Sequence, residues 1–351
     1  MDNGWLFTCY NTLFVLLSCN LSAMSENSID SICEFLLHAG TDFRIYDVGR
    51  GIQPIPSQTF LQLENGEFPT PSPRQQQGWY ALVFWQAAHA VNLNASRQYI
   101  WFLRLPVDEQ SKIVNAARTH FLRTIVDALQ QDPSMEKGLP DNPYIFTPAE
   151  TLRAQLTAKV KADLNQLSQQ DSIKTFAYIN APGTVDWRNI SMQEVHYAVY
   201  QLTDNSKVFK NLEQNWSQLA PAFLNVLLCA LENIPLPDET EQFFIQQIKQ
   251  SQNAEMQTRL LLALHNPNTS INVSALLALL LSDPRSSTLS LLSVIAGRYG
   301  TSLSPALLSL FFQRCHELDE SENADGEIIK GFYEDLVRLP AIRPHVLQLI
   351  R

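Results

Sequence analysis

The sequence lacks the short motifs that carry most enzymatic chemistry. It has no Gly-x-x-x-x-Gly-Lys-Ser/Thr phosphate loop, no Gly-x-Ser-x-Gly nucleophile turn and no His-Glu-x-x-His pair. The nearest approach to a glycine-rich dinucleotide loop is Gly49-Arg50-Gly51, which has no third glycine. The 7 histidines stand apart from one another, and no Cys-x-x-Cys occurs. We therefore predict no metal site and no cofactor, and we name no catalytic residue.

Positive charge and cysteine are scarce as well. The chain has 25 Lys and Arg against 35 Asp and Glu, a formal net charge of −10, and no large segment is basic. General nucleic-acid binding is thereby disfavoured, because neutralising phosphates needs a basic surface. Beyond residue 23 the cysteines are Cys33, Cys229 and Cys315. Their wide spacing and apolar neighbours predict buried free thiols in a reducing compartment.

No apolar run of the sequence approaches the ~20 residues that a helix needs to cross a bilayer, so we predict no transmembrane segment. Residues 1–23 include an apolar stretch at 13–17 and resemble a signal peptide, but they contain no Lys or Arg. We interpret them as a doubtful leader or a mis-assigned start, with Met24 as the alternative first residue. A soluble, cytoplasmic protein is then expected, or an exported one if residues 1–23 act as a signal peptide.

The first half of the chain mixes helix and strand signals. Apolar residues make up 45% of the 351 residues, which excludes a disordered chain and supplies a sizeable core. Residues 24–130 predict a small α+β module. Its first helix is expected to begin at Asn27 or Ser28 and to end near Ala39. The other elements expected in it are strands at 42–48, 79–85 and 98–105 and helices at 57–63 and 108–129.

The second half predicts helices almost throughout. Prolines punctuate residues 131–148, which we predict to be a linker. Within residues 149–351, helix starts are expected near 191, 206, 220, 238, 254, 271, 285 and 304. The distance from one predicted helix start to the next but one is about 30 residues, which resembles the helix-pair period of solenoid proteins. The predicted fold is mostly α, α+β overall, with a C-terminal helical array that is either solenoid-like or an irregular bundle.

Polar side chains gather in residues 42–51, the best candidate for a functional site. Two arginines, two aspartates and a tyrosine beside a glycine turn can hold an anion or a partner's carboxylate. The alternative is an internal set of ion pairs that ties a strand to neighbouring helices. The members of this candidate cluster are Asp42, Arg44, Tyr46, Asp47 and Arg50.

Two predicted helices carry apolar stripes that are wider than the one side of a helix that faces a core. They suggest anchors for a protein partner at Phe243 and Phe244 and at Phe311 and Phe312. The alternative is ordinary core, because a helix buried on two sides also shows a wide stripe. The acidic segment 317–327 does not match a calcium loop, and we predict a solvated loop between helices there.

These patterns support two hypotheses about function. The lack of phosphate-loop, metal and nucleophile motifs favours a non-enzymatic protein-interaction or adaptor protein with an unidentified protein partner. The alternative is a small-ligand-binding protein or an enzyme with a polar site at residues 42–51. A pull-down and a ligand screen distinguish the two.

Two stretches of the chain carry a resemblance. They are residues 38–52, HAGTDFRIYDVGRGI, and residues 102–110, FLRLPVDEQ. With them the chain resembles a bacterial protein family of about this length whose function is unknown, over essentially everything from Met24 onwards. The resemblance implies a bacterial, cytosolic setting and carries over no activity, cofactor or catalytic residue.

Overall fold

The computed structural model describes residues 30–86, 98–129, 142–202, 206–265 and 273–349. The chain divides into two units, residues 1–148 and residues 149–351. The first combines helices with a small sheet and the second is helical, so the predicted fold class, mostly α and α+β overall, is confirmed. Within the described residues no helix combines the length and the apolar character that crossing a membrane requires.

A four-stranded antiparallel sheet organises the first unit. Its strands are β1 (Thr41–Asp47), β2 (Gln53–Ile55), β3 (Gln77–Gln86) and β4 (Tyr99–Pro106). Their order across the sheet is β2-β1-β3-β4. The register places Tyr46 of β1 opposite Ala81 of β3, and Ala81 opposite Phe102 of β4.

Three helices share a core with one face of this sheet. They are α1 (Ile32–His38), α2 (Ser57–Glu64) and α3 (Asn115–Leu129). The sheet contributes alternate residues of its strands, because successive side chains of a strand point to opposite faces. Aromatic rings join the layers, with Phe60 of α2 edge-on to Tyr80 at 5.0 Å and Phe121 of α3 edge-on to Trp101 at 5.9 Å.

The strand predictions lie within two residues of the structure, whereas two helix starts differ. Helix α3 begins at Asn115 and not at Asp108, because the Asp108 carboxylate accepts the N–H groups of Gln110 and Lys112 and closes a turn instead. Helix α1 is capped by Ser31, whose hydroxyl accepts the N–H of Glu34 at 3.0 Å. The caps predicted at Asn27 and Ser28 lie outside the described residues. Strand β2 was not anticipated.

The second unit consists of helices joined by short turns. Its α-helices are α4 (Glu150–Asp163), α5 (Ile173–Asn180), α6 (Met192–Tyr200), α7 (Ser206–Asn215), α8 (Pro221–Leu231), α9 (Asp238–Gln250), α10 (Ala254–Ala263), α11 (Val273–Ser282), α12 (Leu289–Tyr299), α13 (Pro305–Glu322), α14 (Glu327–Leu336) and α15 (Arg343–Gln348). Short 3-10 helices occupy Gln169–Asp171, Trp187–Asn189, Trp216–Gln218 and Gly300–Ser302.

Helices of the second unit contact their next-but-one neighbours in two rows. The first row joins α4, α6, α8, α10 and α12 in that order. The second row joins α5 with α7 and α9, and further along the chain α11 with α13 and α15. Such alternation is typical of stacked helix pairs and favours the solenoid-like alternative over an irregular bundle. From α5 onwards, a leucine-rich core cluster includes residues of both rows.

One helix start of this unit differs from the prediction by four residues. Helix α12 begins at Leu289, whereas the prediction placed the start near 285. The Asp283 carboxylate accepts the N–H of Arg285 at 3.0 Å, and the Asp283 carbonyl oxygen accepts the N–H of Ser286 at 3.1 Å. These bonds hold the backbone in a turn until Thr288, whose hydroxyl caps the helix by accepting the N–H of Leu291.

Candidate functional site

The five polar residues proposed between 42 and 51 do not form a single cluster. Asp42 and Arg44 are exposed, whereas Tyr46, Asp47 and Arg50 are buried. The structure therefore leaves the first two in solvent and places the last three inside the first unit. Their positions fit the alternative interpretation of an internal polar set better than an open anion site.

Asp47 is the most unusual of the buried residues, because one of its oxygens lacks a partner. Its Oδ1 accepts the N–H of Gly49 at 2.8 Å, while its Oδ2 is buried and has no hydrogen-bond partner. Burial raises the pKa of Asp47 to about 7, against the opposing effects of the Gly49 N–H and the Arg50 charge. The carboxyl group therefore takes up a proton near neutral pH.

Arg50 ties the end of the strand region to a neighbouring loop. Its Nε and Nη2 both donate to the carbonyl oxygen of Pro73, at 3.0 and 2.8 Å. The backbone approach is so close here that a Cβ on Gly49 would lie 2.4 Å from the carbonyl oxygen of Ser72. The Gly49-Arg50-Gly51 turn that resembled part of a ligand loop is thus explained by packing.

Two further residues of this polar region come from distant parts of the chain. The hydroxyls of Thr70 and Tyr80 are 3.1 Å apart and buried. Burial raises the pKa of Tyr80, and the nearby charge of Asp47 raises it further. Sequence reasoning missed both residues, because neither carries a local motif. The proline-rich loop that holds Thr70 was the only available signal.

The aromatic residues proposed as partner anchors do not form a common surface either. Phe244 and Phe311 are fully buried in the core of the second unit, which removes them from any docking surface. Phe243 and Phe312 are half-buried and pack against it. The ordinary-core alternative therefore accounts for Phe244 and Phe311, whereas a partner contact at Phe243 and Phe312 stays a prediction.

An open groove occupies another part of the second unit. Its first compartment has a volume of about 360 Å³ and lies between the start of α12, the end of α13 and the start of α14. A second compartment of about 200 Å³ adjoins it through the shared residue Leu318. The first is lined by Thr288, Leu289, Leu318, Glu322 and Ile328, and the second by Pro284, Ser287, Arg314, Glu317, Leu318 and Ser321.

The floor of the groove is apolar. Leu289 stands at the first position of α12 with 51% of its surface exposed, and it lies outside the core cluster. Leu318 and Ile328, which also line the groove, are half-buried and pack against the core. A half-exposed leucine beside two half-buried aliphatic residues gives a small apolar surface that water covers poorly.

Hydrogen bonds to the backbone fix the walls of the groove. Arg314 of α13 donates from Nε to the carbonyl oxygen of Leu281 at 2.6 Å, and it also pairs with Glu317. Asp319 accepts the N–H groups of Gly326 and Ile329, at 3.1 and 2.8 Å, and so caps the start of α14. The two sides of the groove are therefore held in place without a partner.

Sequence reasoning made the loop of this region too long. The acidic segment 317–327 was predicted as a solvated loop between helices, but residues 317–322 belong to α13, only residues 323–326 form the loop before α14, and Asp319 is buried. Leu289 was missed, because an apolar residue at a helix start is common and gives no local signal. No group of three or more His, Cys, Asp or Glu side chains that could hold a metal ion occurs among the described residues.

Comparisons with known proteins identify a family and no closer relative. Neither a curated protein nor a solved structure matches the chain. A family model matches residues 27–351, which confirms the family resemblance carried by residues 38–52 and 102–110. The chain thus belongs to the family described as "Protein of unknown function (DUF3549)".

Proposed function

We propose that this chain is a non-enzymatic protein-interaction protein, and that it docks a segment of its partner in the groove between α12, α13 and α14. The observation that supports this proposal is the half-exposed Leu289, which lines about 360 Å³ of open space together with the half-buried Leu318 and Ile328. Such a surface gains free energy when an apolar side chain covers it.

The shape of the groove suits a peptide better than a small molecule. Small-molecule sites bury most of their ligand in a closed cleft. Here Leu289 and Glu322, which both line the groove, are exposed, so that a ligand beside them keeps one side in water. A helix or extended peptide needs only such an open channel, because its other side stays in solvent.

The groove is also formed before any partner arrives. The Asp283 turn, the Thr288 cap and the Asp319 cap hold its edges by hydrogen bonds within the chain. A preformed surface avoids part of the entropic cost of ordering side chains on binding. Modest apolar contacts then suffice for a measurable affinity.

A second candidate function, ligand binding at residues 42–51, has one observation in its favour. The Asp47 Oδ2 atom is buried without a hydrogen-bond partner, which is a costly arrangement that a bound donor relieves. Arg50, however, is engaged with the carbonyl oxygen of Pro73. We therefore rank this candidate second, and native mass spectrometry of the full chain against Asp47→Asn tests it.

We also propose a cytoplasmic location. The described cysteines, Cys33, Cys229 and Cys315, are all free thiols, which a reducing compartment permits. The bacterial setting implied by the family resemblance stays a prediction.

A peptide selection on the full chain tests the groove. A phage-displayed library of helical peptides of about 15 residues, a length at which isolated helices begin to be stable, is enriched on the native protein. Selected peptides are then titrated against Leu289→Ser. Because burying a leucine contributes about 1.5–3 kcal/mol, we expect about a tenfold or greater loss of affinity.

Leu347→Ser is the matched control, since Leu347 is 48% exposed on α15 and does not line the groove. Its affinity for the same peptides should equal that of the parent chain. A selection in which no peptide depends on Leu289 would refute docking in this groove.

A further inference from the structure

The groove lies beside the most acidic stretch of the chain. Residues 317–327 contain six carboxylates, Glu317, Asp319, Glu320, Glu322, Asp325 and Glu327, and neither Lys nor Arg. Two of the six, Glu317 and Glu322, line the groove itself. The charge of the whole chain, −10, has the same sign and does not offset this local excess.

Cations within the second unit neutralise only part of this charge. Arg314 pairs with Glu317, and Lys330 pairs with Glu327 at 3.3 Å. The carboxylate of Asp319 accepts the backbone N–H groups of Gly326 and Ile329 at the start of the next helix. Among the described residues, no ion pair or hydrogen bond engages the side chain of Glu322, which stands exposed on the rim. An unpaired carboxylate at the edge of an apolar floor favours a cation from outside.

The two compartments of the groove share one lining residue, Leu318. The larger compartment is lined by the apolar Leu289 and Ile328, and the smaller one by polar residues such as Arg314 and Ser321 beside Pro284 and Leu318. One helix face matches this division, because residues three or four positions apart lie side by side. An apolar residue fills the larger compartment while its neighbours lie over the smaller one.

Building on the proposed function, we infer that the occupant of the groove is a basic amphipathic helix of a partner protein. Its apolar residues cover Leu289, Leu318 and Ile328, and a Lys or Arg at the edge of that face pairs with Glu322. The same acidic rim repels an anionic lipid surface and a nucleic acid, both of which need a basic patch. The kind of partner is thus set by charge as well as by shape.

Two synthetic peptides of about 15 residues test this inference. They share one apolar face of leucines at helical spacing, and their flanking residues are all Lys in one and all Glu in the other. Each is titrated against the full chain by fluorescence anisotropy. We expect the basic peptide to bind about tenfold tighter at an ionic strength of about 0.05 M, and the difference to shrink at about 0.3 M.

A charge reversal at Glu322 tests whether this carboxylate is the group that attracts the basic peptide. Glu322→Lys should weaken the basic peptide about three- to tenfold, whereas Glu109→Lys, the same change at an exposed residue of the first unit, should leave its affinity unchanged. If both peptides bind equally well and their binding depends on Leu289, the inference of a basic occupant is wrong, whereas docking in the groove is supported. Binding of neither peptide would also overturn the basic occupant, and the library selection on Leu289→Ser judges the groove separately.

Discussion

Arg50 and Pro73 are joined by two hydrogen bonds to one oxygen, since Nε and Nη2 of the arginine both donate to the proline carbonyl. This bidentate contact holds the turn after β1 against the loop that precedes β3. The two residues are 23 positions apart in the sequence, and the segment between them contains β2 and α2.

We predict that Arg50→Ala destabilises the first unit by about 1–3 kcal/mol, because it leaves a buried carbonyl oxygen without donors and removes the cation nearest to Asp47. Urea denaturation followed by tryptophan fluorescence measures the change. Arg44→Ala is the control, since Arg44 is exposed on β1 and should shift the midpoint by less than about 0.5 kcal/mol. Equal shifts for the two variants would contradict the assigned role of Arg50.

We predict a pH dependence of stability that originates at Asp47. Its pKa is about 7 in the folded chain and 3.8 when unperturbed. Between these values the folded state holds a proton that the unfolded state releases, so the free energy of unfolding falls as pH rises through this window. The slope from this residue is at most about 1.4 kcal/mol per pH unit.

Asp47→Asn removes this titration. The unfolding free energy of the parent chain minus that of the variant should fall as the pH rises from 3.8 to about 7, and it should stay level above that range. Urea unfolding at several pH values provides the measurement. A pH-independent difference would mean that Asp47 does not hold a proton in the folded state.

His196 contributes a pH dependence of the opposite sign. It is buried in α6, and burial lowers its pKa to about 4. The unfolded state therefore binds the extra proton between 6.5 and about 4, and stability is lost as the pH falls through that range. His196→Leu should move acid unfolding to lower pH, while the same change at exposed His316 should not. Circular dichroism during acid titration follows both.

Two glycine substitutions should act in opposite directions. Gly49→Ala places a Cβ 2.4 Å from the carbonyl oxygen of Ser72, and we expect it to cost about 2 kcal/mol or more. Gly331→Ala in α14 meets no atom within 4 Å, and we expect it to stabilise the helix by about 0.5–1 kcal/mol. Denaturation midpoints of the two variants decide the matter, and a tolerated Gly49→Ala would show that the Ser72 loop can move.

Much of the fold could be predicted because its signals are local. Strands β3 and β4 are rich in aromatic and aliphatic residues, and the starts of α7, α9 and α10 coincide with the predicted positions. Two of the errors, at the starts of α3 and α12, arose where a side chain competes with the helix for backbone N–H groups. Asp108 and Asp283 both delay a helix in this way, and composition alone does not distinguish a capping aspartate from one that closes a turn.

The candidate sites were harder to predict because they depend on contacts between distant residues. Nothing near Asp47 in the sequence indicates that Tyr80 lies opposite it in the sheet, or that the hydroxyl of Thr70 lies 3.1 Å from that of Tyr80. Likewise, the burial of Phe244 and Phe311 depends on which helices cover them from the second side. Leu289 becomes notable only because Leu318 and Ile328 line the same groove, and these two residues follow it in the sequence by 29 and 39 positions.

The alternating contacts of the helical array have a consequence for how it loses its structure. Each helix depends mainly on partners nearby in the chain, so the second unit behaves as a nearly one-dimensional assembly with low contact order. Disorder introduced in one helix pair spreads to its neighbours and fades with distance along the stack. The proposed occupant of the groove is therefore expected to protect α12, α13 and α14 from local opening and to leave the opening of α4 and α5 unchanged.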